Sequence, residues 1–579
     1  MNVCRGFLAE ARMAREAGTD NRDMVWTQNW ELMWRRMDFT GKADWQSQFV
    51  MPEVPKFVDR FAAAMKRTFF QAGDWYDIED PLDPNGDLEP ILKKVIDIGF
   101  DRCALNMAGQ TIGFPAVFSD AMKLGALMMC ALSVTWEDGQ LRISPVDARE
   151  LYYDPTGRGL YRIREFDIDR HVLLARAEET DADGKPLWYK DRIEALSIGR
   201  RPRRDFEQPI SKGHLEGVPP SWRKPLYLDE FLFRELLDEN GNVIGENQLV
   251  VMANEQRIVR GPEPNPFWHG KDWIVASPLI TVPLSVYGRS YVEDGSALVK
   301  LESDLTNLIA DGTRTHVMNS YAMRTGWLEN ASDVEQGLVP NKIWALSEDA
   351  QEQPMQEFLQ KMEMGELPPS VIQVWTAIHG QIREAFSAND INLGQIPPKG
   401  DITATEINAV GQSGSELVED IAQGIDDRIL SPLVELVWST MLQHIDPEND
   451  PEVAKSLGEP ISQAIIVQRQ DFRERKFHFK AHAISGVIQR QAMAQRLLSM
   501  MSIAAQSPLL EAALLQTLSV KKIVHQLLRG VGIDIETLEL DKGETNPQPP
   551  PAPPPRGRSG GSSAPSAPPG APGAGVPMA

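Results

Sequence analysis

Between Ser290 and Ile445 the sequence runs helix, compact insert, helix, short Pro/Gly loop and long helix, an order that limits what the rest of the chain can fold into. Leu298, Leu301, Leu305, Leu308 and Ile309 recur at helical spacing, with Glu302, Asp304, Asn307 and Asp311 between them, and Ser290-Tyr-Val-Glu293 is a capping box. The spacing predicts one amphipathic helix to about Tyr321. A second starts at Pro369, a residue suited to a first helical turn, carries Val371, Trp375, Ile378, Ile382 and Phe386 at steps of three and four, and stops at Ala388-Asn389. The segment from Asn389 to Asp401 contains two prolines and two glycines, which exclude a continuous helix.

Thr403-Ala-Thr-Glu406 is another capping box, after which Ile407, Val410, Gly414, Leu417, Ile421, Ile425, Ile429, Leu433, Leu436 and Val437 keep helical register. A helix of about 40 residues would be about 60 Å long. Pro432 predicts a kink or restart in it, and its apolar stripe reads as a seam between subunits.

At 579 residues the chain is too long for one core, and three or four domains are expected. Its 59 basic and 82 acidic side chains give a net charge of -23, which argues against a static grip on nucleic acid. A surface that lets DNA slide past is compatible with that balance. Three scattered cysteines, Cys4, Cys103 and Cys130, point to a reducing compartment. No secretory signal is visible, and the most apolar run, Phe114 to Trp136, reads as a buried helix leading into a strand.

Residues 1 to about 37 are helical in character, and Trp26, Trp30 and Trp34 at steps of four predict one packed face. An extended segment from Phe39 to Pro52 precedes an amphipathic helix from about Pro55 to Phe70, with Val54, Phe57, Val58, Phe61 and Met65 on its buried side. Asp80 to Asp87 is a turn cluster without the ligand order of a calcium loop. Two helices are expected between Pro90 and Leu132. Turns at Glu137-Asp-Gly139, Asp181-Ala-Asp-Gly184 and Asp238-Glu-Asn-Gly241 then predict hairpins in a strand-rich region up to about 285.

The basic run from Ile198 to Arg204 lacks interleaved aromatics and reads as a solvated loop, with contact to a phosphate backbone as the other reading. Phe477, Phe479 and Ala481 alternate with His478, Lys480 and His482, a strand pattern; on a strand the two histidines lie roughly 13 Å apart, too far to chelate one ion. Helices are expected at about 485 to 505 and 508 to 530, and the Pro/Gly/Ser/Ala-rich segment from Asn546 lacks the apolar side chains a core needs.

No phosphate loop, nucleophile elbow, H-E-x-x-H or C-x-x-C pair occurs, so a catalytic role is not expected.

Gly41-Lys-Ala-Asp-Trp45 with Pro52-Glu-Val-Pro55 and Thr68-Phe-Phe70, the run from Val146 to Asp154, Ala404-Thr-Glu-Ile407, and Pro432 to Trp438 stand in the same order as the elements above. In these residues and that order the chain resembles the portal proteins of tailed bacteriophages and related viruses; another structural ring or scaffold protein of the virion, and an enzyme with an unfamiliar carboxylate site, are the alternative readings. The resemblance implies an α+β fold with a wing at 1–289, stem helices at 290–322 and 368–388, and a small α/β clip at 323–367. It further implies a tunnel loop at 389–402, a long kinked helix and wing return at 403–482, a helical crown at 483–540 and a disordered tail at 541–579.

The function implied is a ring, typically of twelve copies, at one capsid vertex of the virion, assembled in the host cytoplasm and used for genome packaging and ejection. Implied partners are the terminase large subunit, the head-to-tail adaptor, capsid and scaffold proteins, and double-stranded DNA in the channel; neither a cofactor nor a membrane is expected. Asn389, Asp390, Asn392, Gln395 and Lys399 would face the channel. Trp327, Glu329, Asp333, Glu335, Lys342 and Trp344 would lie on the clip, where terminase and adaptor dock. Leu301, Leu305, Leu308, Ile378, Ile382, Leu417 and Ile421 would form the subunit interface.

Overall fold

The computed structural model describes residues 1–16, 21–70, 75–80, 88–196 (except 107, 138 and 181–183), 225–317 (except 239), 321–323, 347, 359–361, 368–386, 421–448, 455 and 457–481. The clip residues Trp327, Glu329, Asp333, Glu335, Lys342 and Trp344, the tunnel-loop residues Asn389, Asp390, Asn392, Gln395 and Lys399, and Leu417 lie outside the described residues. So do the basic run at 198–204, the crown and the tail.

The N-terminal stretch forms two helices, α1 (Asn2–Glu16) and α2 (Arg22–Met33), the second capped by Asn21, whose side chain accepts the Met24 amide at 3.0 Å. Only part of the tryptophan stripe is packed. Trp26 is fully buried and Trp30 lies at the edge of the core, but α2 ends at Met33 and leaves Trp34 56% exposed. Helix α3 (Glu53–Phe70) buries Val54, Val58, Phe61, Ala62, Met65 and Phe69. Strand β1 (Tyr76–Glu79), helix α4 (Glu89–Asp101) and a small hairpin of β2 (Ala104–Leu105) and β3 (Thr111–Ile112) follow.

The apolar run folds as helix α5 (Phe114–Leu127) leading into strand β4 (Cys130–Glu137), as its composition predicts. Strand β4 is buried along its first five residues, which explains its near-continuous apolar sequence. It pairs with β5 (Gln140–Pro145) through the turn at Gly139, whose φ of +74° favours glycine. Next come β6 (Leu151–Tyr153), β7 (Tyr161–Asp169), two short helices the sequence reading did not anticipate, α6 (Arg170–Arg176) and α7 (Lys190–Glu194), and then β8 (Pro225–Leu237), β9 (Val243–Ala253), β10 (Arg257–Pro264) and β11 (Ile274–Ser277).

These strands build two antiparallel sheets, one ordered β10-β9-β8-β7-β6 and one ordered β11-β4-β5. The β8–β9 hairpin forms where its turn signal predicts. Around the turn expected at 181–184 the described residues make an isolated bridge, Thr180 to Pro186. Alternation along β8 divides its side chains between two cores. Phe231 and Phe233 pack with Cys4, Leu8 and Ala11 of α1, while Leu226, Leu228 and Leu232 join the main core. All three cysteines are buried and free, and burial pushes the Cys103 and Cys130 thiols up to about 12.

Helix α8 (Glu293–Val317) is shorter than its sequence pattern predicts. Tyr321, expected at its end, instead belongs to β12 (Tyr321–Met323), which pairs antiparallel with β13 (Leu359–Lys361) and brings the two ends of the insert together. Helix α9 (Pro369–Ala385) returns alongside α8. Of the long predicted helix, residues 421–444 are described. They begin as an α-helix at 421–425, widen to a π-turn at Asp426–Leu430, and continue as α10 (Ser431–His444), which has Pro432 in its first turn. The widening sits where the proline ring would collide with the carbonyl four residues back, so the helix restarts as the sequence predicts. Helix α11 (Glu459–Glu474), also unanticipated, leads to β14 (His478–Ala481), which pairs with β1.

Candidate functional site

Helix α8, paired with α9, buries polar side chains where an ordinary core would have apolar ones. The sequence places leucines, expected at a contact between subunits, on one stripe of α8 and polar residues on another, and it is the polar stripe that the subunit buries. Glu302 and Ser303 are fully buried, Asn307 is 1% exposed and Asp311 9%, whereas Leu301 and Leu308 are 46% and 56% exposed.

The burial of the polar stripe has a specific cause: it binds backbone. The extended segment before α3 runs antiparallel to α8, and the amides of Ser47, Phe49 and Met51 donate to Asp311 Oδ1 at 2.7 Å, Asn307 Oδ1 at 2.7 Å and Ser303 Oγ at 3.0 Å. Asn307 Nδ2 donates back to the Phe49 carbonyl at 2.9 Å, and Arg314 Nη1 donates to the Trp45 carbonyl at 2.7 Å. The periods match: four helical residues rise about 6.0 Å and two strand residues about 6.6 Å, so every second amide meets every fourth side chain. The i, i+4, i+8 spacing of Ser303, Asn307 and Asp311, taken with the extended segment, is the signal that could have identified this pairing.

The start of α8 is fixed by the predicted capping box in modified form. Glu293 Oε2 accepts the Ser290 amide at 3.2 Å, but Ser290 Oγ accepts Asn29 Nδ2 at 2.8 Å, and Arg22 Nη1 meets Glu293 Oε2 at 2.9 Å. Nearby, Phe386 stacks on Phe57 at 4.7 Å between centroids, and Phe57 stacks on Tyr291 at 5.0 Å. Gly295 faces the Phe386 ring so closely that a Cβ there would meet it at 2.4 Å.

Between α8 and α9, Glu302 Oε1 and His379 Nδ1 lie 2.7 Å apart, Trp375 Nε1 donates to Thr306 Oγ1 at 3.0 Å, and the Trp375 and His379 rings stack at 5.6 Å. Glu302 Oε2 is buried with no hydrogen-bond partner among the described residues, and burial raises the carboxyl above its ordinary value.

The expected interface residues divide accordingly. Leu301 and Leu308 face outward, Leu305 packs partly against the main core, and Ile378, Ile382 and Ile421 are buried within the subunit's own core. Within a single chain those last three hold α9 and the 421–425 helix to the core. On α9 the outward apolar residues are Ile372 and Val374, 59% and 50% exposed. Among the described residues no three His, Cys, Asp or Glu side chains come together as a metal site, and no helix is long and apolar enough to cross a membrane.

The chain is similar to components of a gene transfer agent particle. One is a chain of the neck of the empty particle, 12% identical, with a TM-score of 0.31, covering 82% of this chain and 90% of that chain. Another is a chain of the virion of the native particle, also 12% identical with a TM-score of 0.31, covering 78% of this chain and 83% of that chain. No family model matches the sequence, and no curated protein does.

Proposed function

We propose that this chain is a portal-type subunit, one copy of a ring at a capsid vertex through which double-stranded DNA enters during packaging and leaves at ejection. The observation that carries the reading is the helix pair itself. Helices α8 and α9 flank an insert closed at its base by β12 and β13, and with their interior already filled they still expose Leu301, Leu308, Ile372 and Val374. Such side chains in water are a standing cost that copies packed side by side around an axis would remove.

On this reading residues 1–289 and 403–482 form the wing, α8 and α9 the stem, 323–367 the clip and 389–402 the tunnel loop. The clip would dock the terminase large subunit and later the head-to-tail adaptor, while capsid and scaffold proteins would contact the ring elsewhere. A net charge of -23 supports the assignment, because a channel that binds DNA weakly lets it slide. We assign the chain no catalytic step.

The test is negative-stain microscopy with mass determination of the purified protein, alone and with its scaffold. Rings of about twelve copies with an axial hole are expected. A chain that stays monomeric under both conditions overturns the proposal.

A further inference from the structure

Glu302 and His379 hold one hydrogen between α8 and α9, and their surroundings decide where it sits. Glu302 Oε1 and His379 Nδ1 are 2.7 Å apart, a distance at which two lone pairs repel, so a hydrogen lies between them. Two arrangements supply it. In an ion pair the imidazolium donates to a carboxylate; in a neutral pair the carboxyl O–H donates to Nδ1, and the imidazole carries its own hydrogen on Nε2.

The arrangements differ in what they require of Oε2. The Glu302 side chain is fully buried, and Oε2 has no hydrogen-bond partner among the described residues. The donors beside it are engaged elsewhere. Ser303 Oγ donates to the Val299 carbonyl at 2.7 Å, Thr306 Oγ1 to the Glu302 carbonyl at 2.8 Å, and Trp375 Nε1 to Thr306 Oγ1 at 3.0 Å. The Met51 amide, from the extended segment, donates to Ser303 Oγ at 3.0 Å. In an ion pair Oε2 would share a negative charge away from water with nothing to donate to it. In the neutral pair it is a carbonyl oxygen, which costs far less to leave unmatched. Besides His379, the charged groups acting on Glu302 are Glu53 and Lys56 of α3; they act in opposite senses, and their side chains meet at 2.9 Å. Burial is the largest influence on the carboxyl and favours its keeping the hydrogen.

We infer that Glu302 is a neutral carboxylic acid whose hydrogen, donated to His379 Nδ1, fastens α9 to α8, and that the fastening loosens when this proton leaves. Towards the insert, α9 buries no residue before Ile378, which leaves the hydrogen bonds of Trp375 and His379 to hold that end. In the unfolded chain a glutamate loses its proton at about pH 4.3, whereas in the folded chain the carboxyl is raised above that. The stabilisation is therefore present in full at acid pH and is lost as pH rises through the raised value. The pair lies within one subunit, so the inference stands whether or not copies form a ring.

Glu302→Gln tests it in the full chain. The glutamine amide donates to His379 Nδ1 and puts a carbonyl oxygen where Oε2 lies, so it copies the neutral acid and has no proton to lose. At pH 7 its Tm should equal or exceed that of wild type; an ion pair broken in the same way would lower it by roughly 5 °C or more. Between pH 6 and pH 9, hydrogen exchange along residues 369–377, corrected for the intrinsic rate, should quicken at least about threefold more in wild type than in Glu302→Gln. A second readout follows from the Trp375 and His379 rings, stacked at 5.6 Å with 9° between their planes, because an imidazolium quenches an indole stacked on it. Trp375 emission, taken as the difference between each chain and its Trp375→Phe form, should be equal in wild type and Glu302→Gln at pH 7. A Glu302→Gln chain that fails to fold, melts below wild type or emits more brightly at Trp375 overturns the inference. So does exchange along 369–377 with the same pH dependence in both chains.

Discussion

Asn307 pairs with Phe49 in the manner of a strand residue, accepting its amide at 2.7 Å and donating to its carbonyl at 2.9 Å. A single side chain on a helix thereby satisfies both backbone groups of a residue on an extended segment. Replacing Asn307 with Leu should cost about 2–4 kcal/mol, because both Phe49 groups and the space around them lose their partner. Asn307→Asp keeps the acceptor and should cost less. Urea unfolding of the two variants measures the difference, and equal costs would count against the pairing as a stabilising contact.

Gly295 allows Phe386 to lie against α8. Gly295→Ala should destabilise the chain by about 1–3 kcal/mol despite alanine's better helix propensity, since the ring must shift. Adding Phe386→Leu should recover part of the loss, a coupling that a double-mutant cycle detects.

His269 should make stability fall as the solution becomes acidic. Its Nδ1 accepts the Lys271 amide at 2.9 Å, its ring stacks on Phe267, and burial lowers its pKa to about 4, with the Lys271 charge adding to the effect. In the unfolded chain the ring protonates near 6.5, so between that pH and about 4 the unfolded state holds a proton the folded state does not. Stability is therefore unaffected above pH 6.5 and falls by up to about 3 kcal/mol as pH drops to 4. His269→Asn, which can still accept the amide, should remove most of this slope in melting curves taken across the range.

Leu301→Asp combined with Leu308→Asp should leave the folded subunit within about 0.5 kcal/mol of wild type, because both positions face solvent. Assembly should fail. Sedimentation reads one outcome and thermal melting the other; a variant that unfolds would contradict the exposure of these residues.

Much of the scaffold could be read from local signals: Gly139 between two β-branched runs, Phe477-x-Phe479-x-Ala481 as a strand, Pro432 as a helix restart. What could not be read was which face of α8 is the inside. Periodicity identifies a stripe but does not say what fills the groove opposite, and a backbone strand prefers Ser303, Asn307 and Asp311 to leucine. Helix α11 escaped notice because its buried residues Ile465 and Phe472 are interrupted by Val467, which is 75% exposed. Ile378 and Ile382 were legible as a buried stripe, but burial within a subunit and burial between subunits leave the same mark in a sequence.

The antiparallel pairing of β12 with β13 makes the insert a cassette. Because Tyr321 sits opposite Lys361 and Met323 opposite Leu359, the two points from which the insert departs are neighbours, and the cost of closing that excursion is met at its base. A change of length between Met323 and Leu359 therefore leaves the spacing of α8 and α9 as it is.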